Sequence, residues 1–140
     1  MRILVCGGAG YIGSHLISLA HKRGHTIRAA SRHPVKNQLV LWTYYDLSTP
    51  PSTDLFSDVD VLIHLAANTT STGCVDENVE YGAACALLAE TMGKPIKFIF
   101  VSSQTANPNA STAYGRIKWK IERKVLTAGG WVVRPGQVYG

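Results

Sequence analysis

A tyrosine and a lysine stand four residues apart near the carboxyl end of the sequence, as Tyr114 and Lys118. On a helix, that spacing places both side chains on one face, one turn apart. A free phenol has a pKa of about 10 and is a poor base at neutral pH, but a neighbouring ammonium favours the phenolate and lowers that pKa. The pair therefore predicts a tyrosine that acts as general acid and base. The same spacing is also common on solvated helix surfaces, so other features of the chain must support this interpretation.

A serine precedes this pair at a position typical of ligand binding. The apolar segment Ile96–Val101 predicts a strand, and Ser102 and Ser103 follow it directly. Open α/β sheets bind their ligands at the carboxyl ends of the strands. Ser103 is therefore a candidate for the same site as Tyr114 and Lys118.

The first residues predict a turn that binds phosphate. The apolar run Ile3–Cys6 leads into Gly7, Gly10 and Gly13, and a helix-compatible segment follows. A strand, a tight turn and a helix N-terminus bring backbone N–H groups to a pyrophosphate, and glycine leaves room for its approach. Glycines gather in many turns, and the position directly after the first strand is what favours the binding role here.

The elements that must position these residues alternate along the chain. Apolar periodicity and the glycine and proline positions predict an α/β fold. Strands are predicted over Arg2–Cys6, Thr26–Ala30, Leu39–Tyr45, Val59–Leu65, Ile96–Val101 and Trp131–Arg134, and helices over Gly13–Lys22, from residue 74 or 75 to Met92, and over Ala113–Thr127. The segment Asp54–Asp58 is predicted to be a short helix or turn.

The glycine turn, with Tyr11 and Ile12 inside it, resembles that of the extended short-chain dehydrogenase/reductase family, which includes nucleotide-sugar epimerases and dehydratases. Three further segments carry the resemblance: His64-Leu65-Ala66-Ala67, Asn78-Val79, and Arg134-Pro135 followed by Val138-Tyr139-Gly140. The resemblance implies a doubly wound parallel sheet, the Rossmann fold, with strand order 3-2-1-4-5-6. It also implies that residues 1–140 form an NAD(P)-binding domain without the smaller carboxyl-terminal region that supplies the substrate pocket in relatives.

The resemblance implies a role for each candidate residue. Tyr114 would transfer the proton, Lys118 would also hydrogen-bond the nicotinamide ribose, and Ser103 would hold the substrate oxygen, while a hydride moves between substrate and nicotinamide. The residues implied to bind the cofactor are Gly7, Gly10, Tyr11, Ile12, Gly13, Ser31, Arg32, Asp46, Leu47, Leu65, Ala66, Ala67, Tyr114 and Lys118.

The role implied for Asp46 has an alternative. In relatives an aspartate at the position of Asp46 accepts a hydrogen bond from adenine, and the apolar neighbour, here Leu47, packs on the ring. Asp46 is followed by Ser48, Thr49 and Pro50, so a turn cap accounts for it as well.

The residues after the second strand predict which dinucleotide binds. NAD-binding relatives carry an acidic side chain here for the ribose 2′-hydroxyl. In this chain Ser31 takes that place and is followed by Arg32, His33 and Lys36. A hydroxyl beside a guanidinium can hold a 2′-phosphate, so NADP is favoured over NAD. The alternative is that Arg32 is only a solvated loop charge.

We therefore expect an NAD(P)-dependent reductase or epimerase that acts on a carbonyl or secondary alcohol, with a nucleotide sugar as one substrate class. Gln104 and Thr105 stand where related dehydratases carry an acidic pair, which argues against dehydration. A non-catalytic NADP-binding redox sensor or assembly protein is the alternative. The presence of Ser103, Tyr114 and Lys118 together argues against it.

Composition limits the remaining classes of function and location. The chain has 140 residues, of which 46% are hydrophobic, and carries a net charge of +5. The basic residues are dispersed, which favours a phosphorylated small molecule over nucleic acid. No apolar run is long enough to cross a bilayer, no leader precedes the first strand, and no Cys/His spacing indicates a metal, so we expect a cytoplasmic protein without a membrane or metal partner. A homodimer could form through the two helices that flank strand five, where the segment Ala83–Ala89 allows close packing.

Overall fold

The computed structural model describes residues 1–67 and 76–136. Six parallel strands form one sheet in the order β3-β2-β1-β4-β5-β6, which confirms the predicted topology. The strands are β1 (Arg2–Cys6), β2 (Thr26–Ser31), β3 (Leu41–Tyr44), β4 (Val61–His64), β5 (Lys97–Val101) and β6 (Trp131–Val133). The helices are α1 (Tyr11–Lys22), α2 (Glu77–Thr91) and α3 (Ala113–Thr127), and a short 3₁₀ helix spans Thr53–Phe56.

The two faces of the sheet bury separate apolar clusters because side chains alternate along a strand. In β1, Ile3 and Val5 belong to the cluster that packs under α1, whereas Leu4 and Cys6 belong to the cluster under α2 and α3. β1 is thus covered on both faces, as the strand between two helical layers must be. Full burial raises the pKa of the Cys6 thiol to about 12, so this thiol stays protonated at neutral pH.

Several predicted boundaries are wrong, and the reasons are local. The first helix begins at Tyr11 rather than Gly13, because Gly10 is the extended N-cap residue and its carbonyl accepts from Ser14 N at 2.9 Å. β3 is shorter than predicted because it pairs with β2 alone, at the edge of the sheet. The described part of α2 begins at Glu77, where the Asp76 side chain accepts from two backbone N–H groups. The bounds predicted for α3 are confirmed.

Some predicted features lie outside the described residues. These are the start of α2 at residue 74 or 75 and the Val138-Tyr139-Gly140 part of the carboxyl-terminal segment. Within the described residues, no helix has the length and apolar character needed to cross a membrane.

The β1–α1 turn is held by contacts between backbones. Gly7 has φ of +93°, and a Cβ atom there would lie 2.7 Å from Ala66 N, directly after β4. At Gly13, a Cβ atom would strike the Gly7 carbonyl oxygen and would lie 2.8 Å from Gly8 Cα. The turn, the first turn of α1 and the end of β4 can meet this closely only because both positions lack a side chain.

We predict that Gly13→Ala destabilises the protein, because the new methyl group would displace backbone on two sides. The expected loss is about 1–3 kcal/mol in the free energy of unfolding, measured by urea titration. Gly82→Ala in α2 is the matched control, since a Cβ atom there meets nothing within 4 Å. That substitution should stabilise the protein by up to about 1 kcal/mol. Equal effects of the two substitutions would contradict this account of the turn.

Candidate functional site

A cleft of about 450 Å³ opens where the chain reverses its direction of winding, at the carboxyl ends of β1, β2 and β4. This crevice is where doubly wound sheets bind their ligands. Its lining consists of Gly7, Ala9, Gly10, Ala30, Ser31, Arg32, His33, Tyr45, Leu47, Leu65, Ala66, Ala67 and Tyr114. Nine residues named from the sequence are therefore brought together in one cleft.

The glycine turn gives this cleft the properties of an anion site. The first turn of α1 contains no acidic residue, and no side chain at Gly10 caps it. Backbone N–H groups at an uncapped helix N-terminus, together with the positive end of the helix dipole, favour a bound phosphate. The absence of a Cβ atom at Gly7 lets the turn lie directly against the Ala66 backbone, so that Gly7 and Ala66 form adjoining parts of the cleft wall.

The other predicted site residues do not line the cleft, and their positions differ. Tyr11 and Ile12 are exposed at the start of α1, and Gly13 is buried beneath the turn. Asp46, Ser103 and Lys118 lie outside the lining as well.

Asp46 forms the turn cap that was the alternative to its adenine contact. Its Oδ1 atom accepts from Ser48 N at 2.9 Å and from Ser48 Oγ at 2.7 Å. These bonds lower the pKa of the carboxyl group, and the nearby Arg32 lowers it further by a smaller amount. Asp46 therefore stays ionised at neutral pH, and the adenine contact stays a prediction.

Tyr114 and Lys118 share one face of α3, as their spacing predicts, but they lie at different depths. Tyr114 is half-buried and opens into the cleft, whereas Lys118 is only 3% exposed. Lys118 Nζ donates to the Val101 carbonyl at 3.3 Å and lies over two rings, 4.8 Å from the centroid of Phe100 and 5.3 Å from that of Tyr114. The ammonium therefore faces the tyrosine ring.

The expected lowering of the Tyr114 pKa is wrong for this structure. Burial raises the pKa of the phenol, and the Glu80 carboxylate raises it further. Burial also lowers the pKa of Lys118 to about 8, although Glu80 and Glu122 oppose that shift. Spacing along α3 could not reveal this result, because it depends on how deeply the sheet and α2 bury both groups.

Ser103 is oriented by its own loop. Its Oγ atom accepts from Thr105 N at 3.2 Å and lies 2.9 Å from Thr105 Oγ1. Thr105 therefore holds this hydroxyl next to the end of β5. Hydrogen bonds to its oxygen strengthen a hydroxyl group as a donor.

Ser31 is also engaged by neighbours. Its Oγ atom lies 3.1 Å from Trp42 Nε1 and 2.6 Å from the His33 carbonyl oxygen. Arg32, the next residue, is exposed at the rim of the cleft.

Three buried ionisable residues near the site were not among the site residues predicted from the sequence. Glu80 of α2 acts on the pKa values of both Tyr114 and Lys118. Glu122 is 1% exposed and accepts from Arg134 Nε at 2.7 Å and Arg134 Nη2 at 2.6 Å. A signal existed for Glu122, which follows Lys118 by four residues and so shares its helix face.

The third such residue is His64 at the end of β4. Burial, with a smaller effect of Lys118, lowers the pKa of its imidazole to about 3. Its Nδ1 atom has no hydrogen-bond partner among the described residues. This imidazole is neutral at physiological pH, and no residue type in its own strand predicts that.

Within residues 1–67 and 76–136, no cluster of three or more His, Cys, Asp or Glu side chains could hold a metal ion.

We predict that Lys118 titrates with a midpoint of about 8, measured by NMR on protein labelled at the lysine Cε carbons and assigned with Lys118→Met. The folded pKa lies below the ordinary lysine value of 10.5, so between these two pH values the unfolded chain holds a proton that the folded chain has released. The free energy of unfolding should therefore rise with pH in that window, by at most about 1.4 kcal/mol per pH unit. A midpoint near 10.5 would contradict the burial described here.

Comparisons with known proteins agree with this geometry. The model of the NAD dependent epimerase/dehydratase family matches residues 3–130. Comparison with curated protein sequences gives no match.

Solved structures share the fold. A UDP-glucose 4-epimerase from Thermotoga maritima, solved with UDP-glucose, is 25% identical with a TM-score of 0.84, and the match covers 100% of this chain and 57% of that one. A UDP-galactose 4-epimerase is 26% identical with a TM-score of 0.71, covering 91% and 51%. A UDP-glucuronic acid 4-epimerase from Bacillus cereus, solved with NAD, is 21% identical with a TM-score of 0.75, covering 91% and 51%. This chain thus spans between half and three fifths of the length of these three epimerases.

Proposed function

Because the chain belongs to the NAD-dependent epimerase/dehydratase family, we propose that its cleft binds a nicotinamide dinucleotide and serves an oxidoreductase or epimerase. We propose that residues 1–140 are the dinucleotide-binding domain of that enzyme. The observation that carries the proposal is that one cleft combines the glycine turn, at its phosphate end, with Tyr114. When bound, the cofactor would exchange a hydride with a carbonyl or secondary alcohol carbon.

The residues of this chain would divide the remaining work. The first turn of α1 would hold the diphosphate through backbone N–H groups. Gly7 and Gly10 would shape the turn, since their own N–H groups donate to the Ala30 and Gly7 carbonyls. Leu47, Leu65 and the small residues Ala66 and Ala67 line the cleft and would contact the nucleoside groups.

Proton transfer would fall to Tyr114. Its raised pKa keeps the phenol protonated at neutral pH, which suits donation of a proton to a substrate oxygen during reduction. The Lys118 ammonium would stabilise the phenolate left behind, since it already faces the tyrosine ring. Ser103, oriented by Thr105, would donate to the same substrate oxygen.

The substrate proposed is a carbonyl or alcohol of a small molecule, with a nucleotide sugar as the leading class. The three epimerases described above are named for UDP-sugars, and they supply that analogy. Gln104 and Thr105 in place of an acidic pair favour redox or epimerase chemistry over dehydration. A cytoplasmic homodimer that packs through α2 and α3 is part of the same proposal.

We propose NADP as the preferred cofactor, although the Bacillus cereus epimerase was solved with NAD. Arg32 lines the cleft, and neither Ser31 nor Arg32 nor His33 is acidic. A guanidinium at this point attracts a 2′-phosphate, whereas a carboxylate at the position of Ser31 would repel one.

Cofactor preference can be measured on this chain by fluorescence titration with NADPH and NADH. We expect Arg32→Ala to weaken NADPH binding about tenfold and to leave NADH binding almost unchanged, because only NADPH carries the phosphate. Arg23→Ala is the matched control, since it removes an exposed arginine at the far end of α1. Tighter binding of NADH than of NADPH, with no effect of Arg32→Ala, would rule out the NADP preference.

The catalytic role predicts a different pattern for Tyr114→Phe. In the whole enzyme, turnover should fall by a factor of about 10²–10⁴, because the substitution removes the transferred proton and little else. Dissociation constants for the cofactor should change little. Tyr44→Phe, at an exposed position on the edge strand, should leave turnover unaltered. A binding-only protein would show no turnover in either case, which separates the enzyme from a redox sensor.

A further inference from the structure

A partly buried chain of hydrogen bonds links the edge strand β3 to the loop after β2. Ser31, the last residue of β2, pairs with Tyr44 in the sheet register, so Trp42 is its diagonal neighbour on the same face. Trp42 Nε1 lies 3.1 Å from Ser31 Oγ, which lies 2.6 Å from the His33 carbonyl oxygen. We propose that Trp42 is a positioning residue that acts through Ser31 to fix the loop presenting Arg32, and that it thereby sets the preference between NADP and NAD.

The direction of each hydrogen bond follows from the groups themselves. An indole N–H can only donate and a carbonyl oxygen can only accept. Ser31 Oγ must therefore accept from Trp42 and give its single hydrogen to His33. No hydroxyl hydrogen remains to be donated to a 2′-phosphate, so the structure assigns Ser31 a positioning role in place of the ligand role expected from the sequence.

The loop is held at both ends. Ser31 is 8% exposed and is fixed by Trp42, and Val35 packs against the apolar cluster under α1. Arg32 and His33 lie between these two anchors and line the cleft.

A fixed loop affects the binding of the 2′-phosphate more than the binding of the rest of the cofactor. A ligand that binds a mobile arginine must also order it, and a loop that is already ordered avoids that loss of affinity. The diphosphate contacts belong to the glycine turn, on a different segment. Loss of the Trp42 hydrogen bond should therefore weaken the contact with the 2′-phosphate and spare the contacts that NADP and NAD share.

The inference rests on the proposed NADP preference, and its test compares dissociation constants for NADPH and NADH across four variants. We expect Trp42→Phe and Ser31→Ala each to weaken NADPH binding about fivefold, while NADH binding stays within about twofold. Trp131→Phe is the matched control, because Trp131 is exposed on the opposite edge of the sheet. It should change neither constant.

The fourth variant, Arg32→Ala, separates the two possible failures. If Arg32→Ala removes the preference for NADPH while Trp42→Phe and Ser31→Ala keep it, the positioning role is overturned and the cofactor preference stands. If NADH binds more tightly than NADPH and Arg32→Ala leaves the two constants unchanged, the cofactor preference fails. If NADPH binds more tightly but Arg32→Ala leaves both constants unchanged, the preference does not come from Arg32, and the role given to Trp42 is overturned.

Hydrogen exchange of the indole N–H groups tests the hydrogen bond without any cofactor. In ¹H–¹⁵N spectra, the Trp42 indole proton, assigned with Trp42→Phe, should exchange more slowly than that of Trp131. In Ser31→Ala it should exchange faster than in the unaltered protein. Equal exchange of the Trp42 proton with and without the Ser31 hydroxyl would overturn the proposal, whatever the stability of the variants.

Discussion

The site depends on a contact between backbones that no side chain could permit. The β1–α1 turn rests against the residue after β4 at Gly7, and the first turn of α1 rests against the β1–α1 turn at Gly13. These contacts bring the N-terminus of α1 to the carboxyl ends of the paired strands β1 and β4. A Cβ atom at either glycine would push the helix away from the sheet. The helix N-terminus would then no longer enclose a bound phosphate group.

The second constraint is the way in which α3 meets the sheet. Tyr114, Lys118 and Glu122 succeed one another at four-residue intervals on one face of this helix. Because the helix passes from the open cleft to the interior, the tyrosine opens into the cleft, the lysine is buried against Phe100, and the glutamate is bound to Arg134 just after β6. The ion pair between Glu122 and Arg134 ties the helix that carries the tyrosine to the far edge of the sheet. Removing Arg134 would leave the Glu122 carboxylate, whose side chain is 2% exposed, buried without compensation.

The sequence predicts the parts of this arrangement that depend on local pattern. The order of strands, the extent of α3 and the shared face of Tyr114 and Lys118 follow from periodicity and from the family resemblance. The depth at which Tyr114 and Lys118 are buried does not follow from this local pattern. On a solvated helix the Lys118 ammonium would lower the pKa of Tyr114, but burial and the Glu80 carboxylate raise it. Burial also lowers the pKa of Lys118, although Glu80 opposes that shift. The engagement of Ser31 by Trp42 was equally hidden, because it joins two strands whose register the sequence does not state.

The strands that stabilise the fold differ from the strand that carries Trp42. β1 and β4 lie at the centre of the sheet and contribute to both apolar clusters, so substitutions there act on the folded state as a whole. β3 pairs on one side only, and several of its residues are exposed, so it contributes less buried surface to the fold. Edge elements with few buried contacts open at low free-energy cost. The role proposed for Trp42, on that edge strand, therefore concerns the presentation of Arg32, whereas the glycine turn follows the central strand β1.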